Sequence, residues 1–406
     1  VSEKGTVNNC AYPAPCAMAT ISAVIVTIDA VWRCLSQLLL ASENYKDQAM
    51  AVWSGTSMAP IFAGTSQHGF PFAATEMSHF GGGGGARTYA DGVDTAGIVF
   101  NTTPNMPNIE DQEAEYPVLY LFRRHLRDSG GPGRFRGGRS GELAYTSYEA
   151  PSPGLEGLFA GTGAEMPNAI GIAGGMPGAA IRVARVVNTD LVDRLELRQS
   201  LPSTLDAIHG QVEILCCKHE RSPMAPGDVW YHSWQAGGGY GDPLTRDPAT
   251  VAEDAVRGVI SARAAKDIYG IALNPDSTLN AKETEQSRMA LRKARLGRGK
   301  RPTGGELRFS GRGQHRYAGT FELDLDRNVV ACGHCGHRHC GANEDVLPHL
   351  LEVNDPLQSA GAARGEDYDR DRFKLRQLCC AKCGGLVDVQ VAMTGAPRPT
   401  LSIEFK

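Results

Sequence analysis

Two C-x-x-C pairs, Cys332-Gly-His-Cys335 and Cys380-Ala-Lys-Cys383, supply four thiols at the spacing of a tetrahedral zinc site. Zinc takes four thiolates in closed structural sites, and a catalytic zinc instead keeps one position open for water. A fourth cysteine closes that position, so the pattern implies a metal that holds structure. Gly336 and Gly384 directly follow the two pairs, where the backbone must turn its amides toward the sulfurs. Cys340 and Cys379 leave the ligand choice open, and His334, His337 and His339 could compete, although thiolates win for zinc.

Other residues could carry acid-base work. His68 in Ser-Gln-His-Gly, and His79 beside the glycines at 81–85, sit where small neighbours allow close approach, with Arg87 just beyond. Each has a plainer reading as a turn residue satisfying local hydrogen bonds. Asp91, Asp94, Glu113 and Glu115 add a polar cluster that is equally readable as a solvated surface. Gly55-Thr-Ser57-Met-Ala-Pro60 mimics a serine-protease motif, but no histidine precedes Ser57, so the match is accidental and Ser57 reads as a strand or turn residue. Gly297-Arg-Gly-Lys300 lacks the spacing of a phosphate-binding loop, so any nucleotide belongs to another chain. The basic run 292–301 has no interleaved aromatics, which argues against nucleic acid.

These residues must be positioned by about two or three domains' worth of ordinary globular chain: 406 residues, 42% hydrophobic, net charge only -4. That balance gives no electrostatic case for nucleic acid or anionic membrane. Eleven cysteines, six of them near the carboxy terminus, fit reduced thiols in a cytoplasmic setting. Residues 10–28 carry no charge, but prolines and hydroxyls interrupt them and Asp29 follows, so a buried helix over 21–40 is expected rather than a membrane span. The first residue, Val1, is read as processing, a fragment, or a subunit split from a longer ancestor.

Between 81 and 241 the glycine density predicts turns, bulges and short strands, including runs at 180–187 and 211–215. Asp247-Pro248 and Ser261 read as helix starts, closed by Gly258 and Gly270. The expected fold class is α+β: a glycine-rich mixed α/β body with short strands over 1–275, a basic linker or helix over 276–305, and a small zinc-ribbon-like domain over 306–406.

Several ordered motifs carry a resemblance. Phe80-Gly-Gly-Gly-Gly-Gly-Ala-Arg87 precedes Asp91-Gly92, then Glu113-x-Glu115-Tyr-Pro117, then Arg127-Asp-Ser-Gly-Gly-Pro-Gly-Arg-Phe-Arg-Gly-Gly138, and finally Gly237-Gly-Gly-Tyr-Gly-Asp-Pro243 with Arg246-Asp-Pro248. With these, the first 250 or so residues resemble the hydantoinase B family, which includes large subunits of acetone and acetophenone carboxylases, N-methylhydantoinases and 5-oxoprolinases. From about residue 306, Cys332-x-x-Cys335-Gly-His337, Cys340, Cys380-x-x-Cys383-Gly384 and the closing Pro399-Thr-Leu-Ser-Ile-Glu-Phe405 resemble the zinc-binding gamma subunit of acetone carboxylase.

The resemblance implies a subunit of a hetero-oligomeric ketone carboxylase, acting on acetone or an aryl ketone and bicarbonate and inactive alone. ATP, with Mg2+ or Mn2+, would sit on a hydantoinase A-type partner. The chain matches only the carboxy-terminal half of the family, so the family's Asp/His metal ligands have no counterpart here: either another chain supplies the missing half or this subunit has no active-site metal of its own. The resemblance also suggests that the glycine loops at 81–85 and 130–138 turn backbone amides toward an oxyanion. Hydrolysis of a cyclic amide is the alternative within enzymes. A non-catalytic zinc scaffold that binds protein or nucleic acid is the alternative outside them.

Overall fold

The computed structural model describes residues 3–6, 9–14, 23–55, 58–99, 101–102, 105–301, 314–317 and 320–405, except 325, 343, 363, 366–367, 369–371 and 398–401. The body is a β-sandwich of two antiparallel sheets. One has the order β10-β7-β1-β2, from β1 (Met58–Thr65), β2 (Pro71–Thr75), β7 (Leu155–Gly161) and β10 (Lys218–Met224). The other has the order β5-β6-β11-β8-β9, from β5 (Val118–His125), β6 (Gly141–Ser147), β8 (Arg182–Val187), β9 (Gln211–Ile214) and β11 (Val229–Ser233). A two-stranded piece, β3 (Gly97–Ile98) with β4 (Asn101–Thr102), lies outside both.

The alternating burial of β1, β5 and β7 is the period-two pattern of a strand with one covered face. Their inward residues meet in one core, where Met58, Phe62 and Phe159 face Tyr120, Leu143, Tyr145 and Trp230. Among the described residues there are six α-helices: α1 (Ile25–Leu40), α2 (Ile109–Glu115), α3 (Leu191–Glu196), α4 (Pro248–Val256), α5 (Ala262–Asp267) and α6 (Ala281–Arg298). The two predicted caps are in place, since Asp247 accepts from the Thr250 amide and Ser261 from the Ala264 amide. Gly258 and Gly270 adopt the left-handed conformation that ends these segments.

Helix α1 departs from the expected buried helix. Only Ile25, Asp29 and Ser36 are buried on it, while Val26, Val31, Leu35 and Leu38 are exposed. Residues 21 and 22 lie outside the described residues, and among the described residues no helix is long and apolar enough to cross a membrane.

The glycine loops form a layer of their own. A Cβ on Gly83 would stand 1.9 Å from the Gly138 carbonyl oxygen, one on Gly137 1.9 Å from that of Gly237, and one on Gly237 1.9 Å from that of Gly84. Backbone packs on backbone at these positions, a close approach that only glycine permits. Amide hydrogen bonds stitch the layer together, including Gly138 to the Gly84 carbonyl at 2.8 Å and Gly131 to that of Gly237 at 2.9 Å.

The carboxy-terminal module has two three-stranded antiparallel sheets, β13 (Phe321–Asp324), β14 (Val329–Cys332) and β15 (Arg338–Cys340), and β16 (Leu350–Asp355), β17 (Phe373–Cys380) and β18 (Leu386–Met393). A further pair joins β12 (Gln314–Tyr317) to β19 (Ser402–Phe405). Body and module share a core in which Met176 packs with Leu375, Cys379, Leu386 and Val389.

Candidate metal centre

Each cysteine pair sits where a strand turns into the next. Cys332 ends β14 and Cys335 lies in the turn before β15; Cys380 ends β17 and Cys383 lies in the turn before β18. Both turns have the same construction. The Gly336 amide donates to the Cys332 carbonyl at 2.8 Å, the Gly384 amide to that of Cys380 at 2.9 Å, and both glycines have positive φ, +65° and +67°. Amides of Lys382 and Gly385 point at the sulfurs of Cys380 and Cys383, each at 3.4 Å.

The four Sγ atoms all lie within 4.8 Å of one another, with Cys332 to Cys383 and Cys335 to Cys380 both at 3.9 Å. A tetrahedron with metal–sulfur bonds of about 2.3 Å has edges of about 3.8 Å, so the donor set fits a thiolate-bound zinc ion. Cys340 and Cys379 belong to apolar cores on either side and are outside this cluster. Among the neighbouring histidines, His334 points its Nε2 at the Leu386 carbonyl, 3.1 Å away. Within the protein-only cluster, the hydrogen bond shared by Cys332 and Cys380 holds the Cys380 thiol well below its usual range and pushes that of Cys332 up.

The second turn is tied to the body. Asp242, fully buried, accepts from the Leu386 amide at 2.9 Å, the Leu244 amide at 3.0 Å and the Arg295 guanidinium at 2.9 Å. Burial alone would raise the Asp242 carboxyl, but Arg295 and the amides outweigh it and hold it below its ordinary value. Arg295 also donates to the Gly384 carbonyl at 3.2 Å. Arg364, fully buried, reaches from the module to the carbonyls of Pro177, Asp128 and Ser129.

The remaining candidates are scattered. His68 is exposed and faces the Ala114 carbonyl at 3.1 Å, and Arg87 is exposed and donates to the Tyr89 hydroxyl. His79 is buried with its Nδ1 2.7 Å from the Glu76 carbonyl, and burial pushes its imidazole down to about 4. Asp91 and Asp94 are not solvated surface groups. Asp94 pairs with Arg136 and Arg139, both at 2.8 Å, and Asp91 pairs with Arg246, which also holds Asp254 at 2.8 Å. Glu113 accepts from the Tyr120 amide at 2.8 Å, Glu115 is exposed, and Ser57 lies outside the described residues. The basic run is a helix, α6, whose Arg288 and Arg295 face inward and whose Arg298 pairs with Asp355 at 2.6 Å.

Sequence reasoning passed over three buried titratable groups. Among the described residues Asp29 has no hydrogen-bond partner for either carboxyl oxygen, and burial pushes it up to about 8; its one sequence signal is a charge inside an apolar helix. Glu76 is raised to about 7, again mainly by burial. His232, on β11 beside Tyr145, has no hydrogen-bond partner at either ring nitrogen among the described residues, and burial lowers it to about 3. Nothing in the local sequence distinguishes Glu76 or His232 from an ordinary strand residue.

A profile of the family Hydantoinase B/oxoprolinase matches residues 1–243. The delta subunit of acetophenone carboxylase from Aromatoleum aromaticum is 29% identical over 304 residues, covering 72% of this chain and 44% of that protein. The beta subunit of caprolactamase from Pseudomonas jessenii is 27% identical, covering 70% of this chain and 45% of that protein. A nucleotide-free structure of acetone carboxylase, described as an ATP-dependent system, superposes with a TM-score of 0.59 at 26% identity, covering 65% of this chain and 37% of that one. The chain spans less than half the length of each of these relatives.

Proposed function

Because the chain belongs to the hydantoinase B/oxoprolinase family, we propose that it is one subunit of an ATP-dependent ketone carboxylase, which joins acetone or an aryl ketone to bicarbonate to give a 3-oxo acid. One observation carries the reading: a module with a four-cysteine cluster fit for zinc is packed and hydrogen-bonded onto a body similar to subunits of acetophenone and acetone carboxylases, and the motif resemblance of that module to the gamma subunit of acetone carboxylase supports it. Zinc at Cys332, Cys335, Cys380 and Cys383 would be structural, because four sulfurs leave no position for water or substrate.

ATP with Mg2+ or Mn2+ would be bound by a hydantoinase A-type partner, and a further chain would supply the part of the family fold this chain does not match. The reduced cysteines suit a cytoplasmic assembly. No chemical step is assigned to His68, His79 or Arg87: two are exposed and apart, and the third is sealed in the core and neutral.

The test is reconstitution. The assembled complex should form 3-oxo acid from ketone, bicarbonate and ATP, while the chain alone should hold about one zinc and turn nothing over. A complex that instead hydrolyses a lactam or hydantoin refutes ketone carboxylation and favours the second reading, which the similarity to caprolactamase supports. Salt-sensitive nucleic-acid binding by the isolated chain would favour a scaffold role.

A further inference from the structure

We propose that metal binding at the four thiolates is coupled to the order of the glycine layer, and that Asp242 and Arg295 are the positioning residues that carry the coupling. The inference rests on the zinc reading above but not on the identity of the substrate.

The geometry places both partners between the two parts. Asp242 immediately follows the segment 237–241, whose amides pin the layer: Gly238 donates to the Val52 carbonyl, Gly239 to that of Met176 and Gly241 to that of Ile172. The same Asp242 carboxylate takes the Leu386 amide, three residues beyond Cys383, and Arg295 takes the Gly384 carbonyl, one residue beyond it. The body therefore grips the turn that carries Cys383 at two points, and it does so through one ion pair whose carboxylate is fully buried and whose guanidinium is nearly so.

A second contact runs from the body side. A Cβ on Gly174 would lie 2.7 Å from the Leu386 carbonyl oxygen, and that oxygen also faces His334, which sits between Cys332 and Cys335. Both cysteine turns thus converge on Leu386, and Leu386 rests on the body.

The physical consequence follows from the burial of the pair. Four metal–sulfur bonds fix both turns. Without them the Cys383 turn is free to shift, and any shift must drag Asp242 and Arg295 along or strip the buried carboxylate of the Leu386 amide and the guanidinium of the Gly384 carbonyl, which is costly for buried polar groups. Either response loosens 237–241. Coupling of this kind is reciprocal, so weakening the pair must also weaken the hold on the metal. Arg364 anchors the module separately to carbonyls at 128–129 and 177, so the module stays docked when the metal leaves and the effect is a local loosening.

Hydrogen exchange on the full chain tests this directly, comparing zinc-loaded protein with protein stripped by chelator. Amides of 237–241 should exchange at least about tenfold faster after stripping, although they lie some 140 residues from Cys383 in sequence. Zinc transfer to a coloured chelator gives the reciprocal reading. Arg295→Lys and Asp242→Asn should each release zinc about 10 to 100 times faster than the parent, the range typical for outer-shell supports of a metal site. Lysine should recover more of the hold than Arg295→Met, since it keeps the charge.

Unchanged exchange at 237–241 in a chain that demonstrably loses zinc would overturn the coupling. Folded variants that release zinc at the parental rate would do the same. If a variant fails to fold, the parental comparison with and without metal decides alone. A chain that takes up no zinc removes the premise, an outcome visible by elemental analysis before any exchange is measured.

Discussion

Replacing His232 with leucine tests whether the sandwich core holds a neutral, unsatisfied imidazole. His232 lies in the same core as Trp230 and Trp234, with its ring 5.3 Å from that of Tyr145, and burial pushes it from 6.5 to about 3. Below pH 6.5 the unfolded chain takes up a proton that the folded chain refuses, so stability is lost as pH falls through the window from about 6.5 to 3. At pH 5, 1.5 units below the free value, the loss is about 2 kcal/mol at 1.36 kcal/mol per unit. His79 adds a loss of the same sign down to about 4.

Glu76 and Asp29 run the other way. Their carboxyls are protonated in the fold up to about 7 and 8, so their penalty grows as pH rises from about 4. The total profile mixes both signs, and the clean quantity is the difference between parent and His232→Leu. Denaturant unfolding followed by tryptophan fluorescence, with zinc saturating, should show the variant gaining about 2 kcal/mol on the parent between pH 8 and pH 5, with the difference flat above pH 7. A difference that stays constant from pH 8 to pH 5 would refute a depressed imidazole.

Gly83→Ala should cost about 3 kcal/mol or more in a thermal melt, because its Cβ meets the Gly138 carbonyl at 1.9 Å and neither backbone can yield. Gly297→Ala is the control: it lies within α6 with nothing within 4 Å, and alanine there should stabilise by about 1 kcal/mol. Arg364→Ala should destabilise by about 3 kcal/mol or more, since several buried carbonyls lose their donor at once. Asp94 is held near 2: burial opposes ionisation, but Arg136 and Arg139 prevail. Its stabilisation is present above about pH 4 and lost as pH falls toward 2, so Asp94→Asn should cost about 2 kcal/mol at pH 7 and nothing near pH 2.

Local signals read well where the physics is local. The caps at Asp247 and Ser261, the closing Gly258 and Gly270, and the glycines after each cysteine pair all act within one turn of chain, and each is where its residue type requires. The four cysteines of the candidate metal site belong to the same class, because C-x-x-C spacing places two sulfurs on one turn whatever surrounds it. The glycine density likewise announced a segment without long helices.

Meaning assigned to those glycines required the fold. Along the chain they announce only turns, bulges and short strands; in three dimensions Gly83 packs on the Gly138 backbone, Gly137 on that of Gly237 and Gly237 on that of Gly84. The basic run 292–301 reads as a linker or helix and the acids at 91 and 94 as an ordinary polar cluster, yet Arg295, Asp91 and Asp94 close on partners 42 to 155 residues away. Resemblance of ordered motifs pointed to the family, and spacing pointed to the candidate metal ligands and the local turns, because those depend on neighbours in sequence. Which charges are buried in pairs, which histidines are stripped of water, and that the metal turn is held by Asp242 were decided only by tertiary contact, since desolvation and pairing depend on what the rest of the chain brings alongside.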